Sequence, residues 1–279
     1  MIGVLAAQSR YREAIAELPL SARAASEPEG AVVVVDGTPG WTARAEQAVA
    51  AGARAVVVDS PVAEADEWMA ALVHGAGAVP VVLERPGLRA DLAADVAAVR
   101  GAGVPGVRAD AVAEAAGGAR VRGAGLMLAA HVCAAEADLA GVVADAVGWL
   151  RVLAGDALVV SAGEISGRGG AVLLETERER IAATLTVTVL AGADAGWRLS
   201  AGAYGTTRIE VDLDAAARRS QVSVSTRSGR LVLPARRETS ARLALRRAIT
   251  AAEQGSAPDM DLADLAGLRH DLHPLALLR

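Results

Sequence analysis

The sequence contains no lysine, no asparagine and no phenylalanine, and it has one cysteine, Cys133. A single cysteine excludes an intrachain disulfide and suits a reducing compartment. All 28 basic residues are therefore arginine. The missing residue types use AT-rich codons, so a high-GC bacterial genome is expected. That bias accounts for scarce lysine, but not for a complete lack of it in a chain whose chemistry required one. Aromatic residues make up only 2% of the chain, so the core must be built from Ala, Val and Leu. No apolar run approaches the about 20 residues of a membrane-spanning helix. Met1 leads into an apolar strand without a charged leader, so no signal peptide is expected. The net charge is −5 with acidic and basic residues interspersed, which leaves no basic footprint for nucleic acid. A cytoplasmic protein with neither a membrane nor a nucleic-acid partner is expected.

What is present is organised around residues 31–61, AVVVVDGTPGWTARAEQAVAAGARAVVVDSP. The runs Ala31–Val35 and Ala55–Val58 are short, β-branched and without alternation. Such runs read as strands buried on both faces. Between them a helical pattern runs from Trp41 to Ala51 and closes at Gly52. Together they predict a βαβ unit with a right-handed crossover. Ligands of open parallel sheets sit at the carboxyl ends of the strands. Those ends carry Asp36, Thr38, Asp59 and Ser60 here.

The strand–helix order repeats on either side. Strands are predicted over residues 2–6, 20–25 and 79–83, and helices over 10–18, 62–73 and 88–100. In the helix over 62–73, Trp68, Leu72 and Val73 form the predicted apolar side. This order argues a parallel, doubly wound α/β domain to about residue 104. After a break at 101–105, residues 107–115 and 120–128 alternate loosely, and a strong helix follows over Ala134–Ala154 with Gly155 as its C-cap. Seven short segments follow between 157 and 233, several alternating polar and apolar, such as ATLTVTVL and RIEVDL. They predict an antiparallel sheet with one face packed and one open. Thr239 and Ser240 cap a helix over Ala241–Glu253, and an amphipathic segment spans Asp261–Leu278.

Several phrases in this order resemble the Gfo/Idh/MocA (glucose–fructose oxidoreductase / inositol dehydrogenase) family. AVVVVDGTP resembles its strand ending in Thr-Pro, and AVAAGARAVVVDSP the helix and strand ending in Glu-Lys-Pro. ADLAGVVADAVGWLRVLAGDALVVSA resembles the helix carrying Asp-x-x-x-His-x-x-Asp, and ETSARLALRRAITAAEQG a segment of the C-terminal half. The resemblance implies an α/β fold, with a truncated Rossmann-like parallel sheet domain over 1–104 and an α+β domain with a large open antiparallel sheet over 105–279. It also implies an NAD(P) cofactor and assembly through the open sheet face.

The departures fall on the functional positions. The family's first turn is G-x-G-x-x-G, which admits a pyrophosphate to a helix N-terminus. Ala6, Gln8 and Tyr11 occupy those glycine positions. Thr38 and Pro39 match the Thr-Pro pair, but Ser60, before Pro61, stands in the lysine position. The histidine position is Val142, flanked by the matching aspartates Asp138 and Asp145. In the other register, Glu84-Arg85-Pro86 would supply Arg85 as the lysine equivalent, but arginine is a poor proton shuttle.

The candidate catalytic residues are thus Asp138, Asp145 and Arg85, and the candidate cofactor-binding positions Ala6, Gln8, Tyr11, Thr38, Pro39, Ser60 and Pro61. The two aspartates, seven apart on one helix face, read either as a residual polar pocket or as solvated and capping carboxylates. His131, Cys133 and Glu136, and the pair His270 and His273, lack matched zinc spacing, so no metal is assigned. Ser60 has no nearby histidine and reads as a turn residue. Arg10 and Arg12 read as anion receivers or as surface arginines, and Trp197 and Tyr204 as open-face anchors or core. The favoured function is a family-like protein without cofactor or acid–base pair, acting as an oligomerising or supporting subunit with itself or an active homologue. The alternatives are an active NAD(P)-dependent oxidoreductase on a sugar or cyclitol-like alcohol, and a small-molecule binding module.

Overall fold

The valine runs form strands whose alternate side chains feed two different cores. In the computed structural model, which describes residues 1–62, 64–99, 126–192, 196–227 and 229–255, β1 (Ile2–Leu5), β2 (Ala22–Ala24), β3 (Val32–Asp36), β4 (Ala55–Asp59) and β5 (Val81–Glu84) make one parallel sheet. Its order is β2-β1-β3-β4-β5, so the chain reverses direction across the sheet between β1 and β3. Val32, Val34, Ala55, Val57 and Val82 pack with α1 (Ser9–Ala16) and α6 (Ser240–Gln254). Val33, Val35, Val56, Val58, Val81 and Leu83 pack on the other face, with α2 (Trp41–Ala50) and α3 (Asp66–Ala76). Two covered faces explain why these strands show no alternation.

The apolar side of α3 differs from expectation. Met69, Leu72 and Ala76 are buried, whereas Trp68 and Val73 are about half exposed, at 53% and 50%. The buried set follows i, i+3, i+7, the helical stripe, and Trp68 and Val73 lie off it.

The chain divides into two compact units. One holds Met1–Pro86 with α6, and the other the described residues between Gly87 and Arg236. Placing 105–279 in one domain would put α6 in the second unit, yet Ala241, Ala244, Leu245, Ala248 and Ile249 share a core with Ile2, Val4 and Tyr11. Thr239 Oγ1 accepts a hydrogen bond from Arg242 N, so the predicted cap of α6 is formed, and Gly255 ends the helix at φ 64°. The expected boundary at 104, the segments 107–115 and 261–278, and His270 and His273 lie outside the described residues.

The second unit holds α4 (Ala90–Val99), β6 (Met127–Ala134), α5 (Glu136–Ala154) and seven further strands. These are β7 (Leu158–Ser166), β8 (Gly169–Thr176), β9 (Ala182–Val189), β10 (Arg198–Tyr204), β11 (Arg208–Asp214), β12 (Arg219–Thr226) and β13 (Gly229–Val232). They form an eight-stranded sheet in the order β13-β12-β11-β10-β6-β9-β8-β7. All its pairings are antiparallel except β6 with β9, which α5 allows by crossing over the sheet after β6. Leu128, Ala130, Val132, Leu185, Val187, Leu199 and Ala201 are buried on the face that α5 covers. On the other face His131, Thr186 and Thr188 are exposed and Ala129, Cys133 and Ser200 half-buried.

Candidate functional site

The carboxyl edge of the parallel sheet is built by register. Asp36 pairs with Asp59 and Asp59 with Glu84, so three neighbouring strands end in three aligned carboxylates. Beyond the strands the ladder continues. Gly37 N donates to Asp59 O at 2.9 Å, and Ser60 N donates to Glu84 O at 2.9 Å. The loops approach so closely that a Cβ on Gly37 would lie 2.3 Å from Asp59 O, which requires glycine there. Ser60 adopts φ 52°, a left-handed backbone that serine seldom takes.

Arg10, in the first turn of α1, spans these tips. Its Nε donates to Asp59 Oδ2 at 3.2 Å, and its Nη2 donates to Glu84 Oε2 at 3.0 Å and to Ser60 Oγ at 3.3 Å. Nη2 also pairs with Asp59 Oδ1. The sequence offered Arg10 as an anion receiver. The structure places two of the protein's own carboxylates on it. Glu84 is 2% exposed, and among the described residues its Oε1 and the buried Tyr11 hydroxyl have no hydrogen-bond partner. Burial, and then the negative charge of Glu84, push the Tyr11 phenol well above the usual tyrosine range.

A second internal anion sits at the start of α2. Gly40, at the N-cap with φ 84°, has no side chain to cap the helix. Glu64 supplies the missing acceptor. Its carboxylate accepts from Trp41 N at 2.9 Å and Thr42 N at 3.3 Å, and closely from Gly40 N and Thr42 Oγ1. Trp41 Nε1 donates to Val62 O at 2.8 Å, which fastens the same segment. The helix N-terminus, a natural anion site, is thus occupied by the chain itself. In the adjoining loop, Thr38 N donates to Asp36 Oδ1 at 2.8 Å, and this bond is the main cause holding the Asp36 carboxyl below its usual range. Arg44 Nη2 donates to Asp36 O, Thr38 O and Thr38 Oγ1 at 2.8, 2.6 and 3.0 Å.

The sequence candidates separate accordingly. Ala6, Gln8, Ser60, Pro61, Thr38 and Pro39 lie in the loops at the carboxyl edge, partly or fully exposed, and Tyr11 is wholly buried in the core beneath. Arg85 is buried at 7% exposure. Asp138 is exposed in the first turn of α5, whereas Asp145, two turns on, is buried. Asp145 Oδ2 accepts from Gly87 N at 3.0 Å, and Trp149 Nε1 donates to Gly87 O at 2.6 Å. A Cβ at Gly87 would lie 2.4 Å from Asp145 Oδ2, so the contact needs glycine. Val142 is a buried core residue of α5. Among the described residues, no group of three or more His, Cys, Asp and Glu is arranged to hold a metal, and no helix is long and apolar enough to cross a membrane.

No protein-family profile matches the chain, and no curated protein matches it in sequence. Solved structures do match along nearly its whole length. The 3-ketoreductase KijD10 of Actinomadura kijaniata, in complex with TDP-benzene and NADP in an open conformation, is 15% identical, with 99% of this chain and 96% of that one covered and a TM-score of 0.66. The UDP-N-acetylglucosamine 3-dehydrogenase GnnA of Acidithiobacillus ferrooxidans is 13% identical, with 99% and 97% covered and a TM-score of 0.64. A putative NADPH-dependent oxidoreductase of Desulfitobacterium hafniense is 11% identical, with 99% and 94% covered and a TM-score of 0.67. The parallel five-stranded sheet, the large second sheet and the likeness to these oxidoreductases give this chain the two-domain Gfo/Idh/MocA fold.

Proposed function

We propose that this protein keeps the Gfo/Idh/MocA fold without dinucleotide or acid–base chemistry of its own, and acts as a supporting subunit. It would assemble with itself or with an active homologue through the open face of the eight-stranded sheet. The observation that carries this reading is the self-satisfied carboxyl edge of the parallel sheet. A dinucleotide pyrophosphate arriving there would meet Asp36, Asp59 and Glu84 in a row, with Arg10 already engaged by the last two. The α2 N-terminus is already filled by Glu64. The side chains of Ala6 and Gln8 stand where the family has glycine, and no lysine exists to move a proton. Titration with NADH and with NADPH, read by fluorescence and melting temperature, tests the cofactor half. Light scattering of the chain, alone and with a neighbouring dehydrogenase, tests the assembly half. Saturable micromolar cofactor binding, or a clean monomer in every mixture, would overturn the corresponding half.

The second reading is an active NAD(P)-dependent oxidoreductase on a sugar or cyclitol-like alcohol with an atypical cofactor site. It draws on the neighbours, one of which was solved with NADP and one of which is named for a nucleotide-sugar dehydrogenation. It requires a cofactor to displace the Arg10 and Glu64 contacts, and the same titration decides it.

A further inference from the structure

Glu84 ends β5 and is only 2% exposed. One of its oxygens is in use: Oε2 accepts from Arg10 Nη2 at 3.0 Å and from Ser60 Oγ at 3.3 Å. The other, Oε1, is buried and has no hydrogen-bond partner among the described residues. Two more side-chain oxygens of the same unit share that condition, Tyr11 Oη and Gln8 Oε1. Tyr11 is wholly buried, so its hydroxyl cannot turn to solvent. Native proteins seldom leave such atoms without a use, because each one destabilises the fold.

Helix spacing and the sheet pleat bring the three oxygens to one place. Gln8 is the N-cap of α1 and lies one turn before Tyr11, so the two share a side of the helix. Val82 packs with Tyr11 in one core, and Glu84, two residues further along β5, stands on the same face of the sheet. Arg10 touches both: its Cζ lies 5.3 Å from the centre of the Tyr11 ring, and its Nη2 bonds Glu84 Oε2. Burial, and then the Glu84 charge, hold the phenol well above the usual tyrosine range, so the hydroxyl keeps its proton at neutral pH.

Charge and hydrogen-bond type select what these oxygens would hold. Asp59 and Glu84 carry two negative charges, and Arg10 returns one positive. Asp36, next in the row, takes a backbone N–H from Thr38, and Arg44 gives its Nη donors to carbonyl oxygens and the Thr38 hydroxyl. Gln8 Oε1 and Glu84 Oε1 only accept, and a phenol oxygen accepts as well as donates. A phosphate would meet like charge and acceptors. A primary ammonium brings one positive charge and three N–H donors, one for each oxygen.

We propose that Gln8 Oε1, Tyr11 Oη and Glu84 Oε1 form a binding site for a primary ammonium group, so that this edge of the parallel sheet takes a small amine. The amine site goes beyond the supporting-subunit reading, which names no ligand for this edge.

The test titrates the full chain with methylammonium chloride and, at equal ionic strength, with tetramethylammonium chloride, which has no N–H donor. Melting temperature and isothermal titration are the readouts. The expected result is saturable binding and a rise in melting temperature with methylammonium alone. Tyr11→Phe keeps the ring in its core and weakens methylammonium binding on the order of tenfold, while the amine-free variant melts no lower than the parent. Glu84→Gln abolishes the response, and Glu46→Gln, at an exposed position of α2, leaves it unchanged. Should Glu84→Gln fail to fold, Tyr11→Phe decides. No response, an equal response to the two salts, or unaltered binding by Tyr11→Phe overturns the amine site. A parallel NADPH titration separates the two ideas. A chain silent to both methylammonium and NADPH sinks the amine site and leaves the cofactor reading standing, whereas one that binds NADPH and still responds to methylammonium alone overturns the cofactor reading and keeps the amine site.

Discussion

The carboxyl edge of the five-stranded sheet and the open face of the eight-stranded sheet are both polar surfaces, and they differ in what their polar groups do. At the edge, charge is dense and consumed internally: Arg10 holds Asp59 and Glu84, Arg44 holds the loop after β3, and Glu64 caps α2. On the open face Ala129, Ser200, Thr184 and Thr186 are small and surround His131, with exposed Leu173 and Met127 nearby, the Tyr204 ring over Gly202, and Arg208 stacked on that ring. A surface that binds a phosphate ligand keeps donors unspent, whereas at the edge Arg10 and the α2 N-terminus are engaged by the protein's own carboxylates. The open face leaves His131, Thr186 and Thr188 exposed, and it is the face proposed above for assembly. The same fold thus carries one end whose charges are paired with one another and one sheet face with exposed side chains.

The largest expected effect comes from breaking the edge. Arg10→Ala leaves Glu84, 2% exposed, and Asp59, 12% exposed, without their cation. The arginine itself is 39% exposed, so the loss is discounted to about 2 kcal/mol of unfolding free energy, measured by urea denaturation. Glu64→Ala uncaps α2 and is expected to cost about 1–2 kcal/mol in the same assay. If either variant gains NADPH affinity, the internal contacts were what excluded the cofactor.

The open face predicts the opposite pattern. Thr186→Arg, at an exposed central position, should change stability by no more than about 0.5 kcal/mol. Under the proposed assembly through this face, it should nevertheless lower the molar mass to that of a single chain. A variant that unfolds, or that keeps the assembly intact, contradicts the assignment of that face.

The smallest effect is electrostatic. Burial, and then the charge of Glu210, raise the Asp212 carboxyl above its ordinary range. A carboxyl raised on folding disfavours the folded state when ionised, so stability is gained as pH falls through its folded pKa toward its unfolded value of about 3.9. Asp212→Asn should therefore raise the melting temperature slightly near neutral pH, by an amount that vanishes below about pH 4. An equal difference at both pH values would remove Asp212 from the account.

How far the sequence reveals this arrangement depends on how local each signal is. The β3–α2–β4 unit is legible because its valine runs, Gly52 and both tips lie within one stretch. β6 escapes notice because its outward residues are Met127, Ala129, His131 and Cys133, and its inward ones include two alanines. Neither period 2 nor β-branching marks it, and its pairing with β9 and β10 sets its conformation. Glu64 is equally hidden. The helix it caps begins 23 residues earlier, and the only local sign is Gly40, where a capping side chain is absent. Arg10 is legible as a charge near the cofactor loop, but its partners lie 49 and 74 residues away. Helix α6 shows its own cap and C-terminal glycine plainly, while its place on the first sheet depends on tertiary contacts that no local pattern encodes.

The proposed function requires that the carboxyl edge of the parallel sheet not bind a dinucleotide. Isothermal titration of the unmodified chain with NADPH tests it most directly. No saturable heat is expected up to millimolar cofactor, and a saturating isotherm with a micromolar dissociation constant would contradict the proposed function.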